Sequence, residues 1–253
     1  DLQGEVICLT NLVNLYTYCG DLKRAEGELA RARDLAQKLQ LRREISVLQH
    51  AEAEIAAARG DVRAAERAFR VAEALYEDIR AGTDLGRTRL HLAAVLCRAG
   101  ETRAATEMLE RAQGTFEGTP PANLLALAAL VRGHLAAPAD ALDHFRTALA
   151  QVRGQDFPDL EWETHFALGR ALESLGRGAE AILEDRRALE ILQEVVDHVP
   201  GQYRDRFATI EPRRSAWIRF LRLQAAGKLD ENLDTFVIRL AVKGESMEHR
   251  EDA

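Results

Sequence analysis

Hydrophobic and polar positions follow the period of amphipathic helices along most of this chain. Leu12 and Tyr16 are four positions apart, as are Leu92 and Leu96, and each apolar stripe is interrupted by polar residues. No segment shows the alternation of a half-buried strand. Turn residues divide the pattern into five pairs of predicted helices: 2–18 with 22–39, 42–58 with 62–80, 84–98 with 102–115, 122–135 with 138–152, and 160–174 with 178–198.

The turns inside these pairs recur at a regular spacing. Gly20, Gly60 and Gly100 are 40 positions apart, and Gly176 occupies the same place in the last pair. Ala136 stands in the fourth pair, where glycine is missing. Glycine ends a helix without a side-chain clash, because it adopts left-handed backbone angles easily. The regular spacing therefore predicts five repeats of one helical hairpin.

Small residues repeat with the same spacing. The residues five and twelve positions after each turn are all alanine, whereas the residue nine positions after it is large in four repeats and is Asp185 in the fifth. Alanine lets two antiparallel helices approach closely, and the large residue fills the gap to the next hairpin. The ten alanines are Ala25, Ala65, Ala105, Ala141, Ala181, Ala32, Ala72, Ala112, Ala148 and Ala188.

Three further residues fit helix starts directly after the turns. Asp21 and Asp61 follow their glycines and are predicted to cap the second helix of each hairpin. Pro138 falls in a first helical turn, where proline is tolerated.

This arrangement of glycine, small, large and alanine positions resembles the tetratricopeptide repeat (TPR). Leu168, Gly169 and Leu172 match the first-helix positions of that family best. Its usual repeat is about 34 residues, and the longer step here resembles the long-helix arrays of large bacterial signalling proteins. The resemblance covers roughly residues 1–199. It implies an all-α fold, a right-handed α-solenoid of antiparallel helix hairpins.

The resemblance divides the chain into three parts. Residues 1–198 form five hairpins, 199–227 form capping helices, and 228–253 form one more helix (230–242) with a flexible tail. The capping stretch resembles the segment that closes TPR arrays attached to bacterial kinases and transcription regulators. An array needs such a cap because its last hairpin exposes an apolar face. The chain begins inside a helical pattern, so we expect it to belong to a longer protein.

Charge and cysteine content exclude several partners and compartments. The formal net charge is −7, so no basic field would attract nucleic acid or anionic lipid. The 3 cysteines, Cys8, Cys19 and Cys97, form no C-x-x-C pair, which favours a reducing, cytoplasmic compartment. No apolar run is long enough to span a bilayer. A homo-oligomer is left open.

Signatures of catalysis are missing from the sequence. There is no phosphate-binding glycine loop, no H-E-x-x-H and no G-x-S-x-G. The 7 histidines form no close metal-binding pair on one helix face, and His134 and His144 are interpreted as groove or surface residues. Cys97 is interpreted as a core residue. We therefore expect no enzyme activity, no cofactor and no metal.

The TPR resemblance also implies a binding surface. In that family the first helices line a concave groove that holds an extended peptide or a partner helix. Amide side chains suit a peptide main chain, because they donate and accept hydrogen bonds. The alternative for Asn11 and Asn14 is a solvent-facing helix surface without a ligand. Carried over, the groove residues are Asn11, Asn14, Tyr18, Glu54, Arg87, His91, Arg98 and Arg170.

The expected function is that of a protein-interaction scaffold, or a sensor arm of a larger cytoplasmic signalling protein. Its partner would be a protein or a peptide. An alternative is a ligand-receptor module that closes on a small molecule or signalling peptide through polar groove residues.

Overall fold

The structure, a computed structural model, describes residues 1–116 and 118–229. Within these residues the chain forms α-helices and one 3-10 turn, Gly201–Tyr203, and no strand. The helices are α1 (Leu2–Tyr18), α2 (Leu22–Lys38), α3 (Arg42–Ala58), α4 (Val62–Asp78), α5 (Gly82–Arg98), α6 (Thr102–Gln113), α7 (Ala122–Leu135), α8 (Pro138–Val152), α9 (Pro158–Ser174), α10 (Gly178–His198), α11 (Arg204–Thr209) and α12 (Arg213–Ala225).

The first ten helices pack as five consecutive hairpins, and each hairpin contacts the next, so the fold is an all-α solenoid. Glycine ends α1, α3, α5 and α9 in the left-handed region, with φ between 75° at Gly176 and 82° at Gly60. Ala136 instead leaves α7 in an extended conformation (φ −84°, ψ 161°), so the fourth turn needs no glycine. Pro138 starts α8 directly afterwards.

The repeated alanines hold the hairpins together. All ten are buried, and the most exposed of them, Ala141, shows only 3% of its surface to solvent. The large residues nine positions after the turns are buried beside them, as Phe69 and Phe145 show. The small side chains therefore lie at inter-helix contacts, where close packing requires them.

Asp185 breaks the apolar pattern of the fifth hairpin and is nevertheless fully buried. Arg219 of α12 binds both of its carboxylate oxygens, with Nε–Oδ1 and Nη2–Oδ2 distances of 2.7 Å. Gly169 makes room for this carboxylate, because a Cβ there would lie 3.0 Å from Asp185 Oδ1. The charged residue thus anchors the C-terminal helices to the last hairpin.

Residues 199–229, which we call the closing segment, cover the apolar face of that hairpin. Phe207, Trp217 and Phe220 are buried in one cluster with Trp162 of α9 and Leu192 of α10. The predicted helix at 230–242 and the tail after it lie outside the described residues.

The closing segment also reaches the first hairpin. Arg206 donates a 2.7 Å hydrogen bond to Asp21, and Arg213 donates one of 3.1 Å to the carbonyl oxygen of Tyr18. The prediction that the Asp21 side chain caps α2 is therefore wrong, because its carboxylate binds arginine instead. Asp61, by contrast, accepts a hydrogen bond from the backbone nitrogen of Ala64 and caps α4.

Candidate binding groove

A groove runs between the first helices of the hairpins and the closing segment. Two cavities form it, one of about 470 Å³ and one of about 230 Å³, and Arg98 and Glu211 line both. We call the two together the central groove. Helices α3, α5, α7 and α9 form its walls, and Ile210, Glu211 and Pro212 of the closing segment enter it.

Four residues that the sequence analysis assigned to a groove lie in this one. Glu54 and His91 line the smaller cavity, Arg170 lines the larger, and Arg98 lies between them. They come from α3, α5 and α9, which are far apart in sequence, and they meet because successive hairpins stack in the same orientation.

Tyr18 has a different environment. Its hydroxyl donates a 2.8 Å hydrogen bond to Asp159 of α9, and its ring packs edge-on against Phe207 with centroids 5.2 Å apart. The guanidinium of Arg213 lies 4.5 Å from its ring centroid. Burial, together with Asp159, raises the pKa of the phenol well above its usual range. Tyr18 is therefore part of the contact between the first hairpin and the closing segment.

The remaining predicted residues lie outside the central groove. Asn11 and Asn14 are exposed on α1, on the same stripe as Tyr18, and form no side-chain hydrogen bond within residues 1–116 and 118–229. Arg87 is exposed on α5, one turn before His91, and its guanidinium is bound to Asp84.

The titratable groups of the larger cavity are tuned by burial and by its two arginines. His134 is open to the groove, but protein atoms crowd around its ring. This desolvation, together with the charges of Arg170 and Arg98, lowers the pKa of His134 to about 4. Burial raises the pKa of Glu163, and the charge of Arg98 only partly offsets it. Near neutral pH the histidine is thus neutral, and the arginines are the cations of this cavity.

Cys97 also lines the larger cavity. Burial raises the pKa of its thiol, against a smaller opposing effect of Arg98. The thiol is therefore held protonated and weakly nucleophilic.

One cluster in the smaller cavity was not foreseen. His50 lies one turn before Glu54 on α3, with 3.4 Å between His50 Nε2 and Glu54 Oε1. His91 of α5 places its Nδ1 3.0 Å from the same oxygen. Glu54 and His91 were predicted from the sequence as peptide contacts, and His50 was not predicted. Pairing each histidine with carboxylates one turn away, and not only with other histidines, would have singled it out.

Comparison with known proteins identifies the fold alone. No protein-family model matches the sequence, and no curated protein matches it. Among solved structures, BtubC from P. vanneervenii superposes with a TM-score of 0.59 at 20% identity, over 79% of this chain and 84% of that one. A kinesin light chain of P. anserina with nearly identical TPR-like repeats gives 0.50 at 17% identity, over 76% of this chain and 96% of that one.

The fold is a TPR-like α-solenoid. A structure of the Cut9–Hcn1 hetero-tetramer of the APC/C extends the likeness to 93% of this chain, with a TM-score of 0.62 at 15% identity. The chain spans only 42% of that protein's length. No helix among the described residues of the solenoid is long and apolar enough to cross a membrane.

Proposed function

We propose that this TPR-like solenoid is a protein-interaction scaffold whose central groove binds an extended, acidic segment of a partner protein. The main observation behind this proposal is the path of the closing segment through the groove. Ile210 has extended backbone angles (φ −84°, ψ 136°) and enters the groove, followed by the acidic residue Glu211. The groove thus already accommodates one extended residue and a carboxylate, which accepts a 2.6 Å hydrogen bond from the hydroxyl of Ser215.

The charges of the groove support an acidic partner. Arg98 and Arg170 are both exposed within it, and neutral His134 lies beside them. Guanidinium groups bind carboxylates in a planar, bidentate manner, so each arginine can hold one acidic side chain or a terminal carboxylate. Asn11 and Asn14 extend the surface along α1, where they would bind main-chain groups. Glu54, Arg87, His91 and Tyr18 complete the proposed contact surface.

A partner would meet the closing segment first. Tyr18 is half-buried and becomes fully accessible only when this segment moves away from α1, because Phe207 and Arg213 contact its ring. The closing segment therefore competes with any ligand that occupies the whole groove, and binding would couple to its displacement. Such coupling fits a sensor or regulatory arm of a larger cytoplasmic signalling protein without catalytic activity of its own.

A test begins with peptides selected from a display library against the immobilised chain. Their affinity is then measured by fluorescence anisotropy for the wild type and for Arg98→Ala and Arg170→Ala. Removing a charge-assisted hydrogen bond costs about 1.5–3 kcal/mol, a loss in affinity of about 10-fold or more. Arg146→Ala is the matched control, because Arg146 lies exposed on α8 and pairs only with Asp143 among the described residues. Equal affinity in all three variants contradicts the assignment of the groove.

A small-molecule receptor is the second candidate, and the larger cavity favours it. Its volume of about 470 Å³ falls within the range of ligand pockets, and Arg98, His134, Glu163 and Arg170 converge on it. Thermal shift against a metabolite library distinguishes the two. A metabolite that raises the Tm of the wild type, but not of Arg170→Ala, supports the receptor, and selected peptides that bind without competition from any metabolite support the scaffold.

A further inference from the structure

In the cluster of His50, Glu54 and His91, a hydrogen bond to Thr88 fixes the orientation of the His50 ring. The hydroxyl of Thr88 donates a 2.8 Å hydrogen bond to the carbonyl oxygen of Asp84, so its only proton is committed there. His50 Nδ1 lies 2.9 Å from the same hydroxyl oxygen. With the hydroxyl proton on the Asp84 carbonyl, the Thr88 oxygen accepts from the ring, and this assignment places a proton on His50 Nδ1.

In the neutral ring, which is the form that binds a metal, this assignment leaves the second nitrogen with a lone pair that faces a carboxylate. His50 Nε2 is the second ring nitrogen, and it faces Glu54 Oε1 at 3.4 Å, beyond the usual range of an N–H···O hydrogen bond. A positive centre, either a proton or a metal ion, is therefore needed between these two atoms. The same carboxylate oxygen lies 3.0 Å from His91 Nδ1, so three potential ligand atoms converge on one point.

The spacing of these atoms fits a metal ion. Bonds of about 2.0–2.1 Å to nitrogen and oxygen in tetrahedral geometry place neighbouring ligand atoms about 3.4 Å apart. The ligand atoms of the cluster all lie within 4.8 Å of one another, and two of the separations, 3.0 and 3.4 Å, are close to that edge. The Thr88 hydrogen bond orients His50 in the way that outer partners orient metal-bound imidazoles.

We propose that His50, Glu54 and His91 bind one divalent transition-metal ion, with Zn²⁺ as the best match to two imidazoles and a carboxylate. Three protein ligands leave a fourth position free. That position faces the smaller cavity of the central groove, which Glu54, His91 and Glu211 line together. Phe69, which also lines this cavity, packs edge-on against His50, with ring centroids 5.2 Å apart. The free position would accept water or a carboxylate from whatever occupies the groove.

The metal site shares Glu54 and His91 with the proposed peptide-contact surface, but it does not rest on that proposal, because its ligands bind the ion whether or not the groove holds a partner. Arg87 lies on the same helix as His91 and brings positive charge near the cluster, but its guanidinium is bound to Asp84, which neutralises it. A metal ion would fix α3 to α5 through side chains of both helices.

The test is equilibrium binding of Zn²⁺ and of Co²⁺ to the full, untagged chain. Calorimetry with Zn²⁺ should give one equivalent per chain, and Co²⁺ should give the visible bands of a tetrahedral site. An intense near-ultraviolet thiolate band would instead place the metal at a cysteine, such as exposed Cys8, and overturn the assignment. Glu54→Gln and His91→Ala should each abolish stoichiometric binding, while circular dichroism shows that they remain folded.

His165 provides a matched control. Its Nδ1 lies 2.6 Å from Glu184, a histidine–carboxylate pair that has no third ligand within the described part of the chain. His165→Ala should therefore retain the full equivalent of Zn²⁺. Thr88→Val removes the group that orients His50, and we expect it to weaken binding about 10- to 100-fold at unchanged stoichiometry. Absence of Zn²⁺ binding in the wild type, or equal binding by Glu54→Gln, overturns the proposal and leaves the cluster as a proton-linked ion pair only.

Discussion

The hydroxyl of Tyr18 donates a 2.8 Å hydrogen bond to Asp159, a carboxylate 141 positions further along the chain. This bond joins the first hairpin to the last. Arg213 of the closing segment lies next to both residues, with 3.6 Å between its Nη2 and Asp159 Oδ1. The solenoid is thus tied together across its own groove by side chains from both ends of the array.

Tyr18→Phe tests the contribution of that bond to stability. A hydrogen bond to a charged group contributes about 1.5–3 kcal/mol to stability. Because this pair is partly exposed, we expect a loss of about 1.5 kcal/mol in the free energy of unfolding. Urea unfolding measures it. Tyr16→Phe on the same helix is the control, because the Tyr16 hydroxyl makes no hydrogen bond within residues 1–116 and 118–229. Equal losses in both variants would show that the bond to Asp159 is not formed.

Gly20→Ala tests the contact between the closing segment and the first turn. A Cβ at Gly20 would lie 2.7 Å from the carbonyl oxygen of Arg206, whereas a Cβ at Gly60 meets nothing within 4 Å. Both glycines have left-handed angles, φ 78° and 82°, so both variants lose about 1–2 kcal/mol from the backbone alone. Gly20→Ala should lose at least about 1 kcal/mol more in free energy of unfolding, because of the clash. Matching losses would contradict the contact.

Arg219→Leu tests the buried ion pair of the fifth hairpin. It leaves the carboxylate of Asp185 buried without its partner, so we expect a loss of about 3–5 kcal/mol in the free energy of unfolding. The double variant Asp185→Leu/Arg219→Leu should regain most of this loss. Other repeats carry a buried leucine, Leu29 or Leu109, at the position of Asp185. Chemical denaturation measures both. A double variant as unstable as the single one would contradict this account.

Glu163→Gln tests the electrostatics of the larger cavity. Burial raises the pKa of Glu163 above its unfolded value, so the folded protein binds this proton more tightly. The resulting stabilisation is complete below the unfolded pKa and is lost as the pH rises through the folded pKa. The variant, which mimics the protonated acid, should therefore exceed the wild type in stability near pH 7, and this advantage should vanish below about pH 4. Urea unfolding across this pH range measures the difference.

The control for that experiment is Glu161→Gln. Glu161 lies two residues earlier on α9, does not line the central groove, and approaches Arg187 at 3.9 Å. It should show no gain in stability at neutral pH. A gain equal to that of Glu163→Gln would mean that the general loss of negative charge, and not burial in the groove, explains the effect.

The hairpins could be predicted from the sequence because their signals are local. Glycine turns and buried alanines recur at fixed spacing, and each requires only packing between neighbouring helices. The exception at Asp185 was visible but unexplained, since its partner Arg219 belongs to a helix outside the repeat pattern. Long-range contacts of the closing segment carry no periodic signal.

Among the groove residues, too, the contacts within the repeats could be predicted and the long-range contacts could not. Glu54, His91, Arg98 and Arg170 were predicted from repeat register, and the stacking of hairpins brings them together. The burial of Tyr18 depends on a segment about 190 residues away, as its contact with Phe207 shows, and no local pattern encodes that distance. His50 could not be predicted from histidine spacing alone, because its metal-binding neighbour on the same helix is the carboxylate of Glu54.

The most direct test of the closed groove is a nuclear Overhauser experiment on the rings of Tyr18 and Phe207. With selectively protonated aromatic residues in a deuterated chain, the centroid separation of 5.2 Å predicts cross-peaks between the two rings in the free protein. Clear cross-peaks support a groove that the closing segment covers until a partner displaces it. Their absence, with cross-peaks between Trp217 and Phe220 retained as an internal control, would show that the closing segment does not reach the first hairpin and would contradict the account.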